Sequence, residues 1–374
     1  MKIPLSKPDI TDIEKKKVLE VLETSYLSLG PQLKEFEEKI AEYAGVKYAI
    51  AVNSGTSALH LIVRALDIKD NDEIITTPFS FISSSNCALF ERAKPVFVDI
   101  NSETLNIDVS KIEEKINEKT KAILAVDVFG NPANWDELKE IAVKHNLYLI
   151  EDSAEALGSI YNGKRCGSFG DAGIFAFYPN KQITTGEGGV VLTNQKMIAD
   201  KCYSMTNQGR RIENSKWLEH IRLGYNYRLD ELSCALGIAQ LSRIEEILNK
   251  RKTVAGIYNN KLKDVPEVKI PNFFFEKTTS PFVYVIILED SFSEKDRDVI
   301  VEEMNKKDIQ CGFYFQPIHL QPFYREMFGY TDNDFPITEK ISQRTIALPF
   351  FNDLKEEEIV YVVENLKQII RELK

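Results

Sequence analysis

Hydrophobic positions recur along the chain in two rhythms. Between residues 11 and 44 the rhythm is helical. Thr11 and Glu14 stand at capping-box spacing before Ile13, Val18, Val21 and Leu22, and Leu33, Phe36, Ile40 and Tyr43 mark a second amphipathic helix beyond the turn Ser25 to Pro31. From Tyr48 onward, short β-prone runs bounded by turn residues alternate with helical segments. The runs are Tyr48 to Val52, Ile74 to Thr76, Val96 to Ile100, Ala122 to Val128, Tyr148 to Ile150, Ile174 to Phe177 and Val190 to Leu192. Asn134 to His145 is one of the intervening helical patterns, with Asn134 and Glu137 at capping spacing. Runs that are apolar on both faces belong in a sheet covered by helices, so the pattern predicts an α/β layer structure with a mostly parallel sheet.

After Arg228 the rhythm changes. Leu229 to Leu262 contains no proline and reads as one long helix or two consecutive ones. There follow a strand (Phe282 to Leu288), a helix (Glu294 to Lys307), an extended segment (Gln310 to Gln316) and a terminal helix ending KQIIRELK. This predicts a smaller C-terminal α+β domain, residues 251–374, after a large domain of residues 1–250.

Composition narrows the function classes. With 374 residues and 43% hydrophobic content the chain can bury a large core. A formal net charge of −10 argues against a general nucleic-acid or anionic-membrane surface. Five widely spaced cysteines without a CxxC pair read as reduced thiols. The opening MKIPLSKPDI lacks a signal-peptide core and no apolar run approaches ~18 residues, so a cytoplasmic protein is expected.

The candidate chemistry centres on Phe175 to Gly189, FAFYPNKQITTGEGG, where a β-prone run ends at Pro179 and Lys181 follows. Lys181 reads either as a solvated loop lysine or as a desolvated amine that forms a Schiff base with an aldehyde cofactor. Asn53 to Ala58 joins the strand Tyr48 to Val52 to a helix beginning near Thr56. This is either a plain N-cap or a phosphate site, in which Gly55 admits close approach while Ser54, Thr56 and Ser57 offer hydroxyls. Tyr148 to Asp152 is an apolar strand ending in two carboxylates, of which only one of Glu151 and Asp152 faces a given cleft. Such a carboxylate suits a metal, a ribose or a protonated ring nitrogen; with no histidine or cysteine at ligand spacing nearby, no metal is expected.

The blocks NSGTSAL, EDSAEALG, FAFYPNKQITTGEGG, GYNYRLDEL and FYFQPIHLQPFY together resemble the DegT/DnrJ/EryC1/StrS sugar aminotransferases, enzymes of the aspartate aminotransferase fold that use pyridoxal 5′-phosphate. The resemblance runs over essentially the whole chain. It implies that Lys181 is the Schiff-base lysine, that Asp152 partners the pyridinium nitrogen, and that Gly55 and Thr56 form the phosphate turn. It also implies that Phe81 lies against the cofactor ring and that Asn226 reaches the cofactor phosphate of a neighbouring subunit in a homodimer. Two positions depart from the family pattern. Ala176 stands where many relatives carry a phosphate-binding serine, and Glu155 where many carry glutamine near the phenolic oxygen.

The resemblance further implies ping-pong transfer of an amino group from an amino acid, glutamate by analogy, to a nucleotide-linked keto-6-deoxyhexose. The ITTGEGG turn leans towards amination at C4 rather than C3. Tyr314, His319 and Arg228 are candidates for substrate contact, with Arg210 and Arg211 as further cations for a diphosphate. Amination of a cyclitol or other non-nucleotide ketone, and a non-catalytic regulator on the same fold, stand as alternatives. A dehydratase relative would carry histidine in place of Lys181.

Overall fold

The computed structural model describes residues 1–211, 219–276 and 278–373. Its strands are β1 (Tyr48–Val52), β2 (Glu73–Thr76), β3 (Lys94–Phe97), β4 (Thr120–Val126), β5 (Tyr148–Asp152), β6 (Ile160–Tyr161), β7 (Lys164–Arg165), β8 (Ala172–Ala176), β9 (Gly189–Thr193), β10 (Val268–Lys269), β11 (Tyr284–Leu288) and β12 (Thr345–Leu348). Seven of them form one sheet in the order β1-β9-β8-β5-β4-β2-β3. All its pairings are parallel except those of β9, which runs antiparallel to both neighbours.

The period-two burial expected of a covered sheet is met on both faces. Ile50 and Val52 join a core with Leu59, Ile62 and Cys202, while Ala49 and Ala51 pack with Phe36, Ile40 and Leu241 on the other side. Farther along the sheet, Ile123 and Leu149 pack on Trp135 and Leu138. The fold is thus the predicted α/β arrangement, a mostly parallel sheet between helices. In the C-terminal part, β10, β11 and β12 form an antiparallel sheet beside the helices Glu294–Lys306 and Glu356–Leu373. Its apolar residues, including Tyr284, Ile286 and Ile346, are continuous with the main core.

Of the two readings of the helical stretch after Leu229, the structure has the second: two consecutive helices, Glu231–Ser242 and Ile244–Leu262, broken at Arg243. The guanidinium of Arg243 explains the break: it bonds Glu14, Asp9 and Glu246 and so ties the corner to the N-terminal helix Asp12–Leu22. That helix has the predicted Thr11–Glu14 capping box. Asn134 makes no cap bond on Trp135–Lys144; its side chain instead accepts the Tyr161 hydroxyl at 3.0 Å. Strand β4 stops at Val126 rather than Val128, because the chain turns there and Phe129 adopts a left-handed backbone (φ 57°). All five cysteines are free.

Candidate active site

Three parallel strands, β1, β5 and β8, deliver their carboxyl ends to one edge of the sheet, and the antiparallel β9 begins at the same edge. A cavity of about 540 Å³ opens there. Ligands of open α/β sheets gather at this edge because loops and helix N-termini converge on it. Gly55, Thr56, Phe81, Asp152, Glu155, Ala176, Lys181 and Tyr314 all line the cavity.

The helix Gly55–Ala65 points its N-terminus at this space, capped by Ser54, whose side chain accepts the Ser57 N–H at 3.1 Å. Free N–H groups and a partial positive charge therefore face the cavity. Glycine is required at two points. A Cβ on Gly55 would sit 2.8 Å from the Ala176 Cβ, and one on Gly189 would sit 2.6 Å from the Ser54 carbonyl. The Thr56 hydroxyl lies 2.7 Å from that of Ser83, so a second hydroxyl stands beside Thr56 on the cavity wall.

Asp152 turns into the cavity and Glu151 turns the other way, as strand alternation requires. Asp152 Oδ2 accepts the Ser84 hydroxyl at 2.7 Å and Oδ1 accepts the Ala154 N–H at 3.2 Å. Burial raises its pKa against those hydrogen bonds and the charge of Lys181. Glu151 accepts the Phe169 N–H at 2.7 Å and the Ser153 hydroxyl at 2.8 Å. Behind the cavity Glu151, Asp127 and Cys166 bring ligand-type atoms within 4.8 Å of one another. The hairpin β6–β7 returns Cys166 to Glu151, a proximity that residue spacing does not disclose. Asp127 already accepts the Ala133 N–H and the Trp135 indole, so these carboxylates serve as structural acceptors.

Lys181 sits with its Nζ 3.6 Å from Glu155 Oε1 and 4.1 Å from the centroid of Phe282. Burial lowers the amine's pKa, and the neighbouring Glu155 and Asp152 only partly oppose this. The backbone of the lysine loop is fixed by buried Arg251, which donates to the carbonyls of Lys181 (2.8 Å), Asn180 (3.3 Å) and Phe282 (3.0 Å). Glu155 is itself oriented by the Phe129 N–H, 2.9 Å from Oε2, and burial pushes its pKa up to about 7. Tyr314 accepts a hydrogen bond from Asn180 Nδ2 at 3.3 Å; burial pushes its phenol up to about 12.

The remaining sequence candidates lie outside the cavity lining. His319 is fully buried, bonds Glu339 at 3.1 Å and packs edge-on against Phe335. Arg228 donates to Asn207 at 2.8 Å, Arg211 pairs with Glu219, and Arg210 bridges to His220. Asn226 is exposed and its backbone pairs with Asn207. Ser83, Ser84, Asn180, Arg251 and Phe282 were not singled out from the sequence. Ser83 and Ser84 follow Phe81 by two and three residues; Arg251 and Phe282 reach the lysine from distant segments that no local pattern connects to it.

The donor set matches pyridoxal 5′-phosphate: a desolvated amine, a buried carboxylate for the ring nitrogen, and an N-terminal helix cradle with hydroxyls for the phosphate. Residues 8–367 match the DegT/DnrJ/EryC1/StrS aminotransferase family. A GDP-perosamine synthase of Vibrio cholerae is 36% identical over 368 residues, 98% of each chain. The spore coat polysaccharide biosynthesis protein SpsC of Bacillus subtilis is 32% identical over 99% of this chain and 97% of its own. Among solved structures, Helicobacter pylori PseC, an aminotransferase of pseudoaminic acid biosynthesis, superposes with a TM-score of 0.94 at 32% identity over 100% of both chains. The PLP-form structure of a Streptococcus pneumoniae protein assigned as a sugar aminotransferase gives a TM-score of 0.94 at 26% identity, again over 100% of both. Lys181 beside Asp152 at the sheet's edge thus belongs to a chain of the DegT/DnrJ/EryC1/StrS aminotransferase family, a sugar aminotransferase dependent on pyridoxal phosphate.

Proposed function

We propose that this enzyme moves the amino group of L-glutamate to a nucleotide-linked keto-6-deoxyhexose, at C4 rather than C3, for amino-sugar and polysaccharide biosynthesis. The observation that carries the reading is the placement of the Lys181 amine, desolvated and 3.6 Å from Glu155, in a cavity floored by Asp152. The names of the Vibrio and Bacillus relatives support the substrate class, and the ITTGEGG turn supports C4.

Bound pyridoxal phosphate would supply an electron sink for the substrate carbon. In this reading Gly55, Thr56 and Ser83 hold its phosphate, with Ser83 making up for the serine replaced by Ala176. Asp152, fixed by Ser84, would hold the protonated ring nitrogen, and Phe81 would cover the ring. Lys181 is the Schiff-base residue and, once released, the base and acid that carries a proton to and from the reacting carbon; its lowered pKa makes the free amine available for this. Glu155 remains protonated, or pairs with the lysine when the lysine is charged. The Phe282 ring centroid lies 4.1 Å from the amine, Tyr314 and Phe315 line the same cavity, and Tyr314 is the candidate for contact with the sugar. His319 acts as packing rather than as a substrate ligand, because its ring is enclosed by Phe335 and Glu339.

The same reading makes the protein a homodimer. Tyr26, Leu27, Leu29, Phe81, Phe90 and Leu223 are exposed apolar side chains. Their segments are linked by contacts: Leu27 to Glu231, Ser28 to Asp230, and Phe90 through His60 to Tyr225. A second copy over this face would cover it and bring Asn226 to the other cavity. The test is to incubate the holoenzyme with glutamate and nucleotide-linked 4-keto- and 3-keto-6-deoxyhexoses, and to assign the new amine by NMR. A C4 amine supports the proposal. Turnover of cyclitol ketones alone would replace it.

A further inference from the structure

Asn226 lies at the middle of a ribbon held from two directions. Its main chain is pinned by hydrogen bonds from Tyr225 N–H to Met205 (2.7 Å), Gln208 N–H to Tyr225 (2.8 Å), Tyr227 N–H to Thr206 (3.0 Å) and Asn53 N–H to Tyr227 (2.9 Å). Its flanking side chains point inward. The rings of Tyr225 and Tyr227 stack at 4.8 Å and 11°, and His60 packs against both. His60 Nδ1 is 3.1 Å from the Tyr227 hydroxyl and Nε2 is 2.9 Å from Glu91. The Tyr225 hydroxyl donates to the same Glu91 oxygen at 3.3 Å, and Arg64 pairs with that carboxylate. Alternate residues of an extended ribbon face opposite ways, so the two tyrosines turned inward leave Asn226 turned outward.

We propose that His60 is a positioning residue for Asn226, acting through Tyr227, so that the helix Gly55–Ala65 serves two active sites at once. Its N-terminus, with Gly55 and Thr56, forms the phosphate cradle of its own subunit. His60, farther along the same helix, fixes the ribbon that presents Asn226 to the other subunit. The inference rests on the reading of Asn226 given above. Burial lowers the His60 pKa and outweighs Glu91, so the ring is neutral, with one donor and one acceptor. The carboxylate paired with Arg64 takes the Nε2–H, which leaves Nδ1 to accept the Tyr227 hydroxyl. Both hydrogen bonds of the imidazole are thereby used to hold the ribbon.

The test uses holoenzyme dimers and reads retention of pyridoxal phosphate in dialysis, followed by absorbance of the lysine-bound cofactor. His60→Leu keeps the volume and removes both bonds; retention should weaken on the order of fivefold, the worth of one neutral hydrogen bond. His60→Gln, which keeps a donor and an acceptor, should restore most of it. Hybrids of H60L with Lys181→Ala subunits decide the matter. There the lysine-bearing site belongs to the H60L subunit but takes Asn226 from its Lys181→Ala partner, so retention should return to the wild-type level. Retention that stays weak in the hybrid overturns the proposal, because His60 would then act on its own Gly55–Thr56 cradle. Asn226→Ala in the same two formats tests the underlying reading. If Asn226→Ala homodimers hold the cofactor as the wild type does, that reading fails and the proposal with it.

Discussion

Lys181 and Glu155 form one unit, and each controls what the other can do. Lys181→Ala should abolish amino transfer, by ~10³-fold or more in single-turnover assays, since proton transfer by a positioned base accounts for about that much. Glu155 makes a separate prediction in the apoprotein. Burial lifts its pKa from about 4.3 in an unfolded chain to about 7 in the folded one. The folded state therefore keeps the proton longer, and stability present below the unfolded value is lost as pH rises through the folded one. Glu155→Gln cannot ionise, so its Tm should fall less than that of the wild type between about pH 5 and pH 8; parallel falls would show that Glu155 does not titrate in this window. Ser83→Ala should weaken retention of pyridoxal phosphate by roughly fivefold, one hydrogen bond's worth, in equilibrium dialysis; unchanged retention would leave the Ala176 position uncompensated. Asp152 could be picked out in the sequence because it ends a β-prone run, where strand ends meet ligands, whereas Lys181, which follows such a run, stood out only through the blocks that carry the family resemblance. Arg251 and Phe282 could not be picked out, since their approach to the lysine depends on how distant segments pack.

At the scale of elements, the corner at Arg243 shows why two helices stand where a proline-free stretch allowed one. Glu14 is fully buried and bonds Arg243 at 2.8 Å and Gln240 at 2.8 Å, while it also closes the capping box at Thr11. Glu14→Ala leaves that guanidinium short of a partner inside the protein and uncaps a helix. A loss of about 3 kcal/mol is expected in urea unfolding, as for other broken buried pairs; a change under about 0.5 kcal/mol, the size of a surface substitution, would mean that Asp9 and Glu246 suffice. The capping box was legible because its partners are three residues apart. The second role of Glu14, with partners more than two hundred residues away in sequence, was not. The same division explains the strands: long apolar runs announced themselves, whereas the two-residue β6, β7 and β10 are too short to show a hydrophobic period.

The whole molecule combines opposing titrations. Burial raises Glu37 to about 8 and also raises the paired carboxyls Glu151 and Asp127 above the usual range. Burial acts on Glu14 in the same sense, but bonds from Thr11, Arg243 and Gln240 outweigh it and hold that carboxyl down to about 2. The raised groups contribute stability that is fully present only below about pH 4, the unfolded carboxyl range, and is lost progressively as pH climbs towards 8; Glu14 contributes stability that is lost as pH falls towards 2. The apoprotein should therefore be most heat-stable well on the acid side of neutrality, at about pH 4 to 5, with Tm declining from there towards pH 8. A Tm that rose steadily to pH 8 would show those carboxyls ionised in the folded state.

The walls around Lys181 are assembled from widely separated parts of the chain. Phosphate turn, carboxylate and amine are complete by Gly189, yet the Arg251 clamp and the aromatic wall of Phe282, Tyr314 and Phe315 come from the last third. A polypeptide still emerging from the ribosome would thus expose its amine to water long after the amine itself had been made. The surroundings of the amine are therefore complete only once residues as distant as Phe315 have folded back onto the sheet's edge.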